Sequence, residues 1–153
     1  PKLGGDKVYQ SAPCPTNYSN TPNPTQNHSF DGNGYCTACG APHIAYTVTI
    51  PASVELGGDA ATIRASGVVL PDGKQLNVRI GSAGNKFTVT LDGTNEDEQT
   101  YTVNNGAVTP GDTVLSVSQS TASASTDLTF NPPSSTTYSG TYTGTVTFTV
   151  SVE

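Results

Sequence analysis

Cys36, Thr37, Ala38, Cys39 and Gly40 form a Cys-x-x-Cys-Gly run, the most informative local signal in the sequence. Two thiolates at this spacing can bind one face of a tetrahedral Zn²⁺, and glycine after the second cysteine lets backbone amides turn toward sulfur. Upstream, Cys14 and His28 would complete a Cys₃His set with Cys36 and Cys39, and His43 competes for the fourth position. Four protein ligands leave no open position for an activated water, so a Zn²⁺ held this way is structural. The other reading is a disulfide plus one spare thiol, as an oxidising extracellular setting would favour. Three is an odd number of cysteines, which weakens a pure disulfide framework.

Catalytic groupings are hard to assemble from the remaining residues. Both histidines, His28 and His43, lie with the cysteines, which leaves later serines and aspartates without an imidazole base. Glu96, Asp97 and Glu98 form an acidic tip after Asp92-Gly93. A solvated hairpin tip explains them more simply than Ca²⁺ does. Tyr35, Tyr46, Tyr101, Tyr138 and Tyr142 are the aromatic candidates for stacking on a sugar, but most fall in phase with core-facing neighbours. The expectation is a non-enzyme with no catalytic residues.

Two zones must position these groups. Residues 1–44 hold all three cysteines, both histidines and six of the eleven prolines (Pro1, Pro13, Pro15, Pro22, Pro24, Pro42). So much proline prevents a helix or a central strand, and an irregular Cys/His-bearing arm is expected. From residue 45 to residue 153 the apolar period becomes two. Tyr46, Val48 and Ile50 alternate with threonines; Leu76, Val78 and Ile80, then Phe87, Val89 and Leu91, repeat the pattern. Tyr101 and Val103, Val114 to Val117, and Leu128 with Phe130 follow. In the last run, Tyr142, Gly144, Val146, Phe148, Val150 and Val152 alternate with Thr141, Thr143, Thr145, Thr147, Thr149 and Ser151. Such alternation predicts one long strand with Val146, Phe148 and Val150 buried and the threonines facing out. Turn pairs separate the runs: Gly57-Gly58, Asp72-Gly73, Asp92-Gly93, Asn105-Gly106, Pro110-Gly111 and Pro132-Pro133. About eight short strands, with no 3.6-residue period between them, predict an all-β antiparallel sandwich, Ig-like or jelly-roll-like.

Composition bounds the function. The formal charge is −6, and the six basic residues (Lys2, Lys7, Arg64, Lys74, Arg79, Lys86) are scattered. Nucleic-acid binding, which needs clustered cations against phosphate, is excluded. The longest pure apolar run is Val68-Val69-Leu70, far short of a membrane span. With 12% charged residues and no Trp or Met, the chain reads as a polar extracellular β protein, secreted or at the cell surface. Its lack of an initiating Met suggests a processed product or an excised fragment, and either origin leaves open whether targeting signals once flanked it.

The stretch from Tyr46 to Leu56 (YTVTIPASVEL) and the ending from Tyr138 to Val150 (YSGTYTGTVTFTV) resemble surface-protein β domains of Gram-positive bacteria, of the WxL type and related modules. The likeness covers about residues 45–153 and implies architecture and location. Phe148 stands where those domains carry the Trp of their name, so their route to the cell wall does not carry over. The segment from His28 to Gly40 (HSFDGNGYCTACG) is similar to zinc-ribbon-like knuckles of surface proteins from the same bacteria.

These readings converge on an extracellular structural module of a surface stalk, adhesin or filament, which self-associates with neighbouring subunits or docks on other surface proteins. The second expectation is a glycan-binding module displayed on a surface. Ordering the proline-rich arm costs roughly 1–2 kcal/mol of backbone entropy per residue. Leu3, Val8 and Tyr9 are therefore expected to contact the sandwich or the next subunit.

Overall fold

A computed structural model describes Ser29, residues 31–37, Gly40 and residues 42–93, 97–118 and 123–153. Ten strands make up almost all of its regular structure: β1 (Ala45–Thr49), β2 (Ala61–Val69), β3 (Gln75–Gly81), β4 (Phe87–Leu91), β5 (Glu98–Val103), β6 (Thr113–Ser118), β7 (Ser123–Leu128), β8 (Phe130–Asn131), β9 (Tyr142–Thr143) and β10 (Thr147–Val152). One three-residue 3₁₀ turn, Asn104–Gly106, is the sole helical element among the described residues. The fold is all-β and sandwich-like, as the alternation predicts. Its strands pair antiparallel in three sheets, ordered β1-β2-β7, β10-β3-β6 and β8-β5-β4-β9. Their inner faces share one core, in which Ile63, Leu76, Val78, Ile80, Val103, Val117 and Leu128 are fully buried.

The glycines of the expected turns at 73, 93, 106 and 111 all have positive φ, so the turn residues are where the sequence puts them. Asn104 and Asn105 also sit in the left-handed region, at φ 49 and 54. Asparagine tolerates that region better than other side chains because its amide bonds locally. Here Asn104 Oδ1 accepts from the Thr129 amide at 2.8 Å and Asn131 Oδ1 from the Asn105 amide at 2.9 Å, which locks the end of β5 against β8.

Two features depart from expectation. The final alternation is not one strand. Tyr142 and Thr143 pair with Leu91 and Thr90 of β4, whereas Thr147 to Val152 pair with Gly81 to Leu76 of β3. Residues 144–146 carry the chain from one sheet to the other. Val146, Phe148 and Val150 are half-buried rather than buried, although Thr145, Thr147 and Thr149 are exposed as expected. The reason is position: β10 is an edge, paired with β3 alone among the described strands, so its apolar face is covered from one side.

Strand β3 is buried along most of its length, polar Asn77 included. Asn77 survives there because its amide is satisfied at both ends. Ser116 Oγ donates to Oδ1 at 2.7 Å, and Nδ2 donates to Glu153 Oε2 at 3.1 Å. The same carboxylate accepts from Arg79 at 2.7 Å and from Ser151 at 3.0 Å. The Arg79, Asn77 and Ser151 donors hold the Glu153 carboxyl down at about 2, against an ordinary value of 4.5. A depressed folded-state value means that the stabilisation is present above the unfolded pKa and lost as pH falls through the folded one. Glu153→Gln should thus lower the denaturation midpoint at pH 7, and the gap to the parent should close between pH 4.5 and about 2. A gap that stays constant across that window would assign Glu153 no ionic role.

Candidate binding cleft

Of the four expected zinc ligands, Cys14, His28 and Cys39 lie outside the described residues; so do Leu3, Val8 and Tyr9. Cys36 is described, and it is buried at 3% exposure. The turn after it closes through the Gly40 amide, which donates to the Cys36 carbonyl at 2.8 Å with Gly40 at φ 76. The competing ligand His43 is half-buried, its amide bonded to the Gly34 carbonyl at 2.9 Å. Among the described residues no three His, Cys, Asp or Glu side chains converge on a metal position.

This segment docks on the sandwich. The Asp72 amide donates to the Asn33 carbonyl at 2.7 Å, at the turn between β2 and β3. Within the segment, Asp31 Oδ1 accepts from the amides of Asn33 and Tyr35, and Tyr35 bridges to Pro42. A side chain at Gly34 would meet Pro71, so backbone approaches backbone there.

A cleft opens where the 52–56 segment and the 132–146 segment flank β4, β5 and β8. Its volume is about 850 Å³. Val89, Tyr101 and Phe130, all core residues, form its floor. Leu56, Pro133, Tyr142 and Val146 line its sides, and Glu55 with Thr136, Thr141, Thr143 and Thr145 stands at its rim. A smaller hollow bounded by Ile50, Val54, Val146 and Phe148 adjoins it and continues beside β10.

The tyrosines divide by role. Tyr46 and Tyr138 are exposed, at 41% and 46%. Tyr101 is buried at 6% exposure, with Phe87 stacked at 5.5 Å and Phe130 tilted at 6.1 Å. Burial pushes its phenol above the usual tyrosine value. Tyr142 donates its hydroxyl to Asp97 Oδ2 at 2.5 Å, which, with Gln99 and the Thr137 amide, holds Asp97 below the usual carboxylate range. Asp97 is therefore an anchor. It ties the start of β5 to the 137–142 segment and thereby shapes one wall of the cleft. Sequence reasoning placed it on a solvated acidic tip, because its partners are 40 and 45 residues away.

Compared with protein-family models, curated proteins and solved structures, the chain matches none. No helix among the described residues is long and apolar enough to cross a membrane.

Proposed function

We propose that this chain is a non-catalytic structural module of a bacterial extracellular assembly, a stalk, adhesin or filament subunit secreted or held at the cell surface. The observation that carries the reading is β10. It presents an edge with no described partner strand on one side, backed by half-buried Val146, Phe148 and Val150 and bordered by an open hollow. An edge of this kind accepts an added strand, with main-chain bonds giving affinity and alternate side chains giving specificity. Self-association with neighbouring subunits, or docking on another surface protein, would cover it. Head-to-tail contact that does not close into a ring gives a filament.

Light scattering and negative-stain imaging of the purified chain test this. The full chain should form concentration-dependent oligomers, and deletion of residues 1–13 should leave a folded module that no longer polymerises. A full chain that is monomeric at high concentration ends the filament reading.

The Cys/His segment fits the same proposal as a staple, with Cys14, His28, Cys36 and Cys39 holding one structural Zn²⁺. Protein purified without chelator should carry about one zinc per chain by metal analysis. A Cys14–Cys36 or Cys14–Cys39 disulfide in its mass spectrum would exclude the site. Exposed Tyr46 and Tyr138 favour a second reading, a glycan-binding surface module. Loss of glycan-array binding on Tyr138→Ala would identify it.

A further inference from the structure

We propose that the cleft floored by Val89, Tyr101 and Phe130 is a binding site for a small neutral aromatic molecule that carries a hydroxyl or carbonyl on its leading end. The observation behind this is the Tyr101 hydroxyl. Tyr101 is 6% exposed and lines the cleft, and no described residue makes a hydrogen bond to its oxygen. Its neighbour Tyr142, far less buried, has two acceptors, Asp97 Oδ2 and the Tyr138 carbonyl. Buried polar atoms are nearly always bonded, and phenylalanine would fill the same core position with nothing left unmade. A buried hydroxyl with no partner among the described residues, on a side chain that lines a cleft, points to a partner that enters from outside.

Shape and charge narrow the ligand. About 850 Å³ falls in the range of small-molecule clefts, roughly 300–1,000 Å³, which are mostly apolar with a few convergent polar groups. The floor offers one such group. Phe87 and Phe130 pack about the Tyr101 ring, so the phenol is offered for its hydroxyl rather than as a stacking platform for sugar. The apolar sides, from Leu56, Pro133 and Val146, suit an aromatic body. Glu55 at the rim and a net charge of −6 disfavour a carboxylate. This site is independent of strand addition at β10, and either can fail alone.

Three probes of one shape test it: p-cresol, toluene and 4-methylbenzoate, titrated into the full chain and followed by aromatic NMR shifts of Tyr101 and Phe130. p-Cresol should bind in the cleft about fivefold tighter than toluene, the ratio one neutral hydrogen bond supplies, and 4-methylbenzoate should bind weakest. Tyr101→Phe removes one oxygen and should erase the preference for p-cresol while retaining toluene. Val54→Trp, at the exposed mouth, should weaken both neutral probes and serves if the core variant misfolds. The proposal is overturned if no probe shifts the cleft resonances, if toluene or 4-methylbenzoate binds the parent as tightly as p-cresol, or if Val54→Trp binds unchanged.

Discussion

Ile63→Ala should destabilise the sandwich by about 2–5 kcal/mol, the range for deleting a fully buried branched side chain that leaves a cavity. Ile63 is 0% exposed, in the first half of β2. That strand joins β1 on one side and β7 on the other; Ile63 pairs with Thr126 across the β7 ladder, and the β1 ladder ends beside it at Arg64. Its neighbours on the inner face, Ala61 and Ala65, are small and cannot swell to fill the gap. Equilibrium denaturation in urea reads the loss. A change under 1 kcal/mol would mean that the β1-β2-β7 sheet packs otherwise than described.

Gly144→Ala should cost about 2–3 kcal/mol by overpacking, although a methyl group elsewhere on this surface would cost almost nothing. Gly144 lies where the chain leaves β4 for β3. A Cβ there would run into the carbonyl oxygen of Thr88 and sit 3.2 Å from the Val89 side chain. The obstacle is backbone rather than a flexible side-chain end, so it cannot swing aside. Gly84 supplies the control: a Cβ at that position meets nothing within 4 Å, and Gly84→Ala should leave the melting temperature within a degree or two, as ordinary surface changes do. Equal melting temperatures for the two variants would contradict the close crossing at Gly144.

Alternation made β3, β4, β5 and β10 visible from the residue types, because Val, Ile, Leu and Phe mark one face and threonine the other. Strand β2 was nearly silent for two physical reasons. Alanine at 61 and 65 is a weak marker of a buried face, and Gly67, at φ 59, makes a bulge that moves the buried position from Ala65 to Val68 and breaks the period. Strand β7 (SASTDL) shows a single large apolar residue, Leu128, and is held by its ladder to β2, with Thr62 Oγ1 donating to Asp127 at 2.7 Å. The split of the last run between two sheets was hidden because side-chain alternation continues through Gly144, while the partner strand changes. At the cleft, Tyr101 could be placed in the core from its phase, but nothing local announces that its hydroxyl lacks a partner among the described residues. That depends on which residues are absent around it, and such information is spread over the segments 52–56 and 132–146.

The division of the last strand between β4 and β3 also sets the order in which the molecule can be completed. β3 acquires its outer neighbour only when residues 147–152 arrive, and the Asn77–Glu153 bond joins positions 76 apart in the chain. During synthesis the two middle strands, β3 and β4, must wait, each with a bare flank, until residues 142–152 have been made. Pairings over such distances require large loops to close before anything is gained, which places folding of β-rich topologies at milliseconds to seconds. Stopped-flow refolding measures that delay directly. Over that interval the nascent module exposes to its neighbours the same kind of strand flank that the finished one keeps at β10.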